Sequence, residues 1–359
     1  MKLSQPSSAR KINTYRVLNL LRKEDNLSKS EISRKLSLNK VSAGEIVNSL
    51  IKENIVSECG KIVSSNGRKP VSLQLNAKSR FIIAVDIGPR NTTVSLVGLD
   101  SKIIKLERIP NKTDKTLELF CVDIIKSCKR TLHPVEGANV IGVGVTCQGE
   151  IKENIIVESS YLPWKNIPVG EVLNKMLNLP IIVNNSLEAL VMAEAQKTGM
   201  FKQETLYIDW GDRINSILVR NGIFFGTNSN FGHLKVADKG LCYCGSFGCL
   251  EAQVSAWALA NPADIRLRNL WDAVDTEALN CLIKALDLTL MVTGCKQIVI
   301  GGEGSTIPDD KLQYIQSKIT IPVKRSVLGD KANIISAAEI GLDEFMFHSR
   351  LLSEVDDWI

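Results

Sequence analysis

The stretch Phe81–Asp100, FIIAVDIGPRNTTVSLVGLD, decides the fold of most of this 359-residue chain. Its apolar run predicts a buried strand, Asp86 and Gly88 mark a turn, and a second strand follows. Farther along, residues 141–151 and 296–305 each predict a strand that ends in a glycine turn. Strand and helix patterns alternate between them, which indicates α/β layers. Two glycine turns far apart in the sequence favour a two-lobed body with a cleft.

The segment before this body has the pattern of a helix-turn-helix. Ser28 is followed three residues later by Glu31, the spacing of a capping box that begins a short helix. Ser37–Asn39 makes a turn, and a second helix is expected from about Lys40 to Glu53. Two short helices joined by a tight turn are typical of DNA-binding domains.

A β-hairpin is predicted after the two helices, with a basic tip that forms a wing. An arginine on a glycine hinge suits insertion into a narrow, electronegative minor groove. The expected DNA contacts lie at the start of the second helix and in the wing: Asn39, Lys40, Ser42, Glu45, Gly67, Arg68 and Lys69. The alternative is a three-helix packing domain with solvated charges.

Charge separates the same segment from the rest of the chain. Residues 1–76 hold 14 Lys and Arg against 6 Asp and Glu, a net charge of +8, whereas residues 77–359 carry −3. A basic head on a near-neutral body is the layout of a domain that meets a polyanion. We therefore predict a DNA-binding domain at 1–76 and a second domain, with two lobes, at 77–359.

Three cysteines and a histidine predict a metal site. Cys242, Cys244 and Cys249 lie within eight residues, and His233 is nine residues before the first of them. Three thiolates and an imidazole fit tetrahedral Zn²⁺ in a closed structural site. A zinc-stapled loop near 233–249 is expected, with free thiols as the alternative. The remaining cysteines are expected to be small core residues: Cys59, Cys121, Cys128, Cys147, Cys281 and Cys295.

Over nearly its whole length the chain resembles the ROK family of repressors and sugar kinases. The resemblance is to the winged-helix branch with the xylose and N-acetylglucosamine repressors. It rests on the following segments, of which the cysteine segment is the most specific: Gly67–Pro70, Val85–Gly88, Trp164–Pro168, Gly232-His233, Cys242–Glu251 and Ile300–Gly302. It implies an actin-like, ribonuclease-H-like sugar-kinase fold with sugar in the cleft, and zinc at the cysteine and histidine set.

The resemblance also shows departures from kinase chemistry. Family kinases use the Asp of an Asn-Asp pair as the base, and the corresponding residues here are Asn185 and Ser186. Serine cannot serve unaided as a general base. A phosphate loop that the family builds from Gly-Thr-Gly-Ile-Gly is GDRIN at 211–215, and Pro89 removes an N–H donor from the other loop. We therefore expect no ATP-dependent activity.

The sugar site is altered as well. The family's usual sugar contacts correspond to Asn185, Ser186, Asn230, His233 and Glu251. Two carboxylates of the family pattern are replaced, at Ser186 and Asn230. Carboxylates accept strong hydrogen bonds from hydroxyl groups. Binding of an ordinary hexose is therefore in question.

The resulting hypothesis is a cytoplasmic transcriptional regulator, a repressor of carbohydrate-related genes, that binds double-stranded operator DNA as a homodimer or tetramer. A sugar or sugar phosphate is the candidate effector. The rivals are an ATP-dependent sugar kinase with a DNA-binding head, and a regulator that no longer senses sugar. No apolar run is long enough to span a membrane, and the N-terminus lacks the apolar core of a signal peptide.

Overall fold

The computed structural model describes residues 6–61, 71–111, 116–132, 135, 137–160, 162–200, 203–226, 229–259 and 270–349. The chain divides into two compact units. The first comprises Met1–Val145, Pro168–Val183 and Ala337–Ile359, and the second comprises Thr146–Ile167 and Asn184–Ser336. The predicted domain boundary after residue 76 lies inside the first unit and stays a prediction.

The N-terminal part of the first unit has the predicted helix-turn-helix and hairpin strands. Its elements are α1 (Pro6–Lys23), α2 (Lys29–Lys35), α3 (Lys40–Lys52), β1 (Val56–Lys61) and β2 (Val71–Leu75). Strands β1 and β2 pair antiparallel. The predicted wing tip, with Gly67, Arg68 and Lys69, lies outside the described residues. The helices pack through a small apolar core that includes Val17, Leu21, Ile32, Leu36, Val47 and Leu50.

Local sequence explains where the two helices of the motif begin. The Ser28 side chain accepts a hydrogen bond from the Glu31 amide at 3.3 Å, and the Ser28 amide donates to the Glu31 carboxylate at 2.8 Å. This is the predicted capping box, which satisfies donors left over at a helix start. Asn39 caps α3, since its Oδ1 accepts from the amides of Val41 and Ser42. The start of α3 is thereby fixed, with its first side chains directed away from the core.

A five-stranded sheet forms the centre of the first unit, in the order β10-β6-β3-β4-β5. The strands are β3 (Phe81–Ile87), β4 (Asn91–Gly98), β5 (Ile103–Pro110), β6 (Val140–Cys147) and β10 (Ile181–Asn185), and the helices α4 (Leu117–Leu132) and α5 (Val169–Leu177) accompany them. Every residue of β3 is buried, as its apolar run predicts. A Cβ on Gly144 would lie 1.9 Å from the Ala337 carbonyl oxygen. The late helix α12 (Ala332–Leu342) therefore lies directly against β6.

The second unit contains another five-stranded sheet, in the order β13-β12-β11-β14-β15. Its strands are β11 (Thr205–Trp210), β12 (Ile214–Arg220), β13 (Ile223–Phe225), β14 (Gln297–Gly301) and β15 (Val323–Arg325). The turn between β12 and β13 has the Asn-Gly sequence typical of tight hairpins, and φ is positive at both Asn221 and Gly222, 51° and 73°. That is the geometry of the type I′ turn that matches strand twist. The mixture of parallel and antiparallel pairs confirms the α/β fold class.

Helices and a small sheet complete the second unit. The helices are α6 (Ser186–Thr198), α7 (Glu251–Val254), α8 (Ala256–Leu259), α9 (Leu270–Ala273), α10 (Thr276–Thr293) and α11 (Asp309–Lys318); the small sheet comprises β7 (Gly149–Lys152), β8 (Ile155–Ser159) and β9 (Lys165–Ile167). The core includes an edge-to-face pair of Trp210 and Trp271, with ring centroids 5.0 Å apart. Within the described ranges, no helix has the length and apolar character needed to cross a membrane.

Candidate functional site

The predicted metal ligands come together in the second unit. His233, Cys242, Cys244 and Cys249 each place one potential ligand atom within 4.8 Å of the others. His233 Nδ1 lies 3.5 Å from Cys242 Sγ, and Cys244 Sγ lies 3.7 Å from Cys249 Sγ. Such a compact group of one imidazole and three thiols can bind a metal ion. The sequence spacing was sufficient to identify the cluster.

Backbone geometry explains how the loop brings the thiols together. Gly248 has a φ of 75°, and a Cβ there would lie 1.7 Å from the Ala237 carbonyl oxygen. A side chain is excluded at this position by both conformation and space. Leu241 and Phe247 form an isolated antiparallel bridge across the loop. The loop therefore doubles back around Cys244, between the first and third cysteines.

Protonation in this cluster follows from burial and hydrogen bonding. Burial raises the pKa of Cys242 to about 11, whereas hydrogen bonding from the Ser246 backbone lowers the pKa of Cys244 to about 7. Burial, with nearby Arg213 and Lys235, lowers the pKa of His233. The imidazole is thus held neutral, the form that binds metals. The ammonium group of Lys235 lies 3.2 Å from Cys249 Sγ, where it would offset thiolate charge.

The histidine of the cluster also lies beside a cavity. A cavity of about 420 Å³ in the second unit is lined by polar groups that include Asn230, His233 and Glu251, three of the predicted ligand contacts. Tyr243, between two of the cysteines in sequence, also lines it, and its hydroxyl lies 3.1 Å from His233 Nε2. A partner at Nε2 leaves His233 Nδ1 facing the thiols. The metal cluster and the cavity therefore share a wall.

Glu251 is the most deeply placed acid of the cavity. Its Oε2 accepts a hydrogen bond from the Ile214 amide at 3.1 Å, and burial raises the pKa of its carboxyl. Arg213 lies next to it, with Nη1 3.7 Å from Glu251 Oε1. The guanidinium carbon of Arg213 is 3.8 Å from the ring centroid of Tyr243 and 5.0 Å from that of Trp257. The three side chains form a cation–π group, of which Arg213 and Tyr243 line the cavity.

Sequence reasoning missed the role of Arg213 in this arrangement. In the sequence, Arg213 is recognisable only as a replacement in a phosphate loop of the family. The local signal is a cationic residue in place of a glycine of the family's phosphate loop. The aromatic partners could not be paired with it, because Tyr243 and Trp257 lie 30 and 44 positions farther along the chain.

The other two predicted ligand contacts, Asn185 and Ser186, lie at the start of α6. Asn185 caps α6: its Oδ1 accepts from the amides of Leu187 and Glu188, and its Nδ2 donates to the Gly149 carbonyl at 2.6 Å. Ser186 is the first residue of that helix and is buried. Neither belongs to the cavity lining formed by the described residues, although Gly149 does. Their role as sugar contacts stays a prediction.

The predicted DNA contacts of the helix-turn-helix lie at the start of α3. Asn39, Lys40 and Glu45 are exposed and Ser42 is half-buried. Val41 lies beside them and is 68% exposed, which its apolar side chain did not predict. An exposed apolar side chain on such a face can contact a thymine methyl group. The wing residues lie outside the described part of the chain.

The scattered cysteines mostly behave as expected. Five of them are buried: Cys121, Cys128, Cys147, Cys281 and Cys295. Cys59 differs, since it is half-buried in β1 with its Sγ 3.5 Å from Ser72 Oγ. A hairpin strand with one solvent-facing side explains this partial exposure.

Comparison with known proteins gives consistent matches. A sequence model of the ROK family matches residues 82–339. The chain is 29% identical over 260 residues to the xylose repressor of Caldicellulosiruptor bescii, an alignment that covers 70% of this chain and 65% of that protein. It is 25% identical over 254 residues to the DNA-binding transcriptional dual regulator NagC of Escherichia coli K12, covering 67% and 62%. The alignments thus span less than two thirds of each of these relatives.

Solved structures share the fold. A ROK family transcriptional regulator, described as a homologue of the Escherichia coli MLC protein, has a TM-score of 0.72 at 20% identity, with 97% of this chain and 99% of that chain covered. A ROK hexokinase from Thermus thermophilus has a TM-score of 0.54 at 19% identity, with 74% and 99% covered. The first match extends over the N-terminal helices as well as the sheets.

Proposed function

This chain belongs to the ROK family, and we propose that it is a sugar-responsive transcriptional repressor that binds operator DNA through its N-terminal head. The observation that carries the proposal is the exposed start of α3, capped by Asn39, in a segment of net charge +8. A capped, solvent-facing helix start is where a helix-turn-helix meets base edges. Relatives named as xylose repressor and NagC support the same function.

We assign different tasks to the side chains at the start of α3. Lys40 is placed to neutralise a phosphate, a contact that supplies affinity without sequence information. Glu45 is placed to accept a hydrogen bond from cytosine N4 in the major groove, a contact that specifies a base. Arg68 of the predicted wing would enter the minor groove. One short helix reads few base pairs, so paired half-sites and a homo-oligomer are part of the proposal.

The metal that best fits the cluster is Zn²⁺. His233, Cys242, Cys244 and Cys249 would bind it, and the bound ion would hold the loop closed without taking part in a reaction. The donor set supports this assignment because three soft thiolates and one imidazole complete four-coordination. His233 would bind through Nδ1, since Tyr243 contacts the other ring nitrogen. Loss of the ion would free a loop whose Tyr243 lines the cavity.

The main rival is an ATP-dependent sugar kinase with a DNA-binding head. By the family resemblance, Ser186 corresponds to the catalytic aspartate of the kinases. Asn185 uses its side chain as a helix cap and to bind the Gly149 carbonyl. Proton removal from a sugar hydroxyl then lacks its base. An ATP-dependent phosphorylation assay over common aldoses, with full-length protein, tests this. We expect no turnover, whereas hexose phosphorylation above the no-enzyme rate would contradict a purely regulatory function.

The cavity is the proposed effector site. It has the size of a small-ligand pocket and is lined by side chains that can hydrogen-bond to hydroxyl groups. The presence of this cavity favours a regulator that responds to a carbohydrate effector over one that no longer senses sugar. Ligand binding to the folded protein would raise its stability by mass action, so thermal shift against carbohydrates tests this part of the function.

A further inference from the structure

The charges that line the proposed effector cavity limit which carbohydrates can bind there. We infer that the cavity binds neutral sugars and rejects their phosphate esters, and that Glu150 and Glu158 provide this selectivity. The inference rests on the proposed function, because it takes the cavity to be the effector site. It narrows the effector from sugars in general to unphosphorylated sugars.

Acids outnumber cations in the lining of the cavity. Glu150, Glu158 and Glu251 line it, whereas Arg213 is the one lysine or arginine among the described lining residues. A phosphate monoester carries a charge of about −1.5 to −2 at pH 7. Since like charges repel, three carboxylates around one cavity disfavour such a group and leave a neutral sugar unaffected.

The charge of Arg213 is already compensated within the protein. Its Nη1 lies 3.7 Å from Glu251 Oε1, and its guanidinium carbon lies 3.8 Å from the ring centroid of Tyr243. The arginine and the acid are 16% and 2% exposed, so solvent screens their attraction only weakly. A ligand phosphate that recruited Arg213 would leave Glu251 buried without its cation, which is strongly unfavourable. Arg213 therefore does not create an anion site.

Glu251 favours a ligand that donates hydrogen bonds. Its Oε2 accepts a hydrogen bond from the Ile214 amide, whereas its Oε1 is buried and accepts none from the described residues. A buried acceptor without a hydrogen bond is unfavourable, and the hydroxyl of a ligand would supply the missing donor. A phosphate dianion has only acceptor atoms. The acid in the cavity wall therefore suits a neutral ligand that is rich in hydroxyl groups.

Glu150 and Glu158 form an unfavourable cross-strand pair beside the same cavity. They lie directly opposite each other on the antiparallel strands β7 and β8. Like charges in such a pair destabilise a sheet. Lysines offset part of the cost, with Lys152 2.5 Å from the first acid and Lys165 2.9 Å from the second. Proteins depart from such local rules at functional sites, and we assign the repulsion of anionic sugars to this pair.

The exposure of the two acids provides a signature of this mechanism. Their side chains are 41% and 58% exposed, so dissolved ions screen their effect on a ligand. Rejection of phosphate by charge therefore weakens as the salt concentration rises. Rejection by the size of the phosphate group would not depend on salt.

Calorimetric titration of the full-length protein tests the inference with matched sugars. D-Glucose, D-mannose and N-acetyl-D-glucosamine are each compared with the corresponding 6-phosphate, and D-xylose is a further neutral sugar. At low salt we expect at least one neutral sugar to bind, and the phosphates to bind at least about tenfold more weakly. The difference should shrink at about 1 M salt, where the Debye length is roughly 3 Å. Equal or tighter binding of a phosphate, no binding of any neutral sugar, or a preference independent of salt would overturn the inference.

Substitution of both acids tests their assignment. Glu150→Gln combined with Glu158→Gln keeps the shape of both side chains, and we expect the preference for neutral sugar over phosphate to fall about tenfold. Glu171→Gln removes an exposed acid of α5 in the first unit, which also pairs with a lysine, and serves as the matched control. An undiminished preference in the doubly substituted protein would refute the assignment. DNA binding is measured separately, so failure of this inference leaves the repressor function standing.

Discussion

Arg22 of α1 forms an ion pair with Glu339 of α12, and both side chains are nearly buried, at 11% and 6% exposure. The guanidinium carbon of Arg22 also lies 4.0 Å from the ring centroid of Phe347, and the Ser101 hydroxyl donates to Glu339. The pair joins the first helix of the chain to the last α-helix that the structure describes. It crosses the predicted boundary between head and body, and thus ties the helix-turn-helix to the first sheet.

Removal of one member of this pair should be costly. Arg22→Ala leaves Glu339 buried beside Ser101 without its cation, and we expect a loss of about 3 kcal/mol in the free energy of unfolding. Denaturant unfolding followed by circular dichroism measures it. Arg34→Ala, which removes an exposed arginine of α2, should change the free energy by less than about 0.5 kcal/mol. Equal effects of the two substitutions would show that the buried ion pair contributes nothing to the free energy of unfolding.

Zinc content is the next prediction. Purified protein should contain about one zinc per chain, and Cys244→Ser should lower both the zinc content and the thermal midpoint, because metal binding orders the loop. Elemental analysis with a thermal melt measures both quantities. Cys59→Ser changes a half-buried cysteine of β1 and should leave zinc content unchanged. Metal-free wild-type protein with undiminished stability would rule out the site.

His233 has two expected duties, as metal ligand and as part of the cavity wall. His233→Ala should abolish zinc binding and also the response to carbohydrate, since Tyr243 loses its partner. Zinc content and ligand titration of the same preparation test both. His348, which lies in the first unit with its ring centroid 4.4 Å from that of Tyr15, is the matched control. His348→Ala should retain full zinc. A zinc-free His233→Ala protein with normal ligand affinity would show that His233 is a metal ligand but is not needed for carbohydrate binding.

Lys40 tests the electrostatic part of DNA binding. Lys40→Ala should weaken binding to all duplexes and lower the dependence of log affinity on log salt by about one unit, because one phosphate contact is lost. Fluorescence anisotropy at several salt concentrations gives the slope. Lys318→Ala, an exposed lysine at the end of α11, should leave the slope unchanged. A slope insensitive to Lys40 would place this residue away from the phosphates.

Glu45 tests base recognition. Glu45→Gln keeps the shape of the side chain but turns an acceptor group into one that also donates, so the preferred base at one operator position should change. Selection from a random duplex library compares the two proteins. An unchanged motif bound more tightly by the variant would mean that Glu45 only repels phosphate.

Local patterns predicted more of this molecule than long-range ones. The capping box at Ser28 and the turn at Asn221-Gly222 depend on neighbours within four residues, so sequence alone identifies them. The metal cluster spans 17 positions but is marked by a rare combination of residue types. The helix-turn-helix pattern is also local, and it predicted most of the residues on the candidate DNA-contact face.

Contacts between distant segments were beyond sequence reasoning. The Arg22–Glu339 pair joins residues 317 positions apart. Only the packing of α12 brings them together. The same holds for Arg213 with Trp257, and for Asn185, whose tie to Gly149 depends on a distant strand. The sequence shows that these side chains are polar and need partners, but only the tertiary structure shows which partners they have.

Selection of bound duplexes by the full-length protein measures whether its N-terminal head reads a DNA sequence. We expect one enriched operator motif, bound with a Kd of roughly 10⁻⁸ M or tighter at physiological salt. The same chain carrying both Lys40→Ala and Arg68→Ala should bind this motif far more weakly and still fold with its zinc. No enriched motif, or full binding by the doubly substituted protein, would contradict a repressor that reads DNA through its N-terminal head.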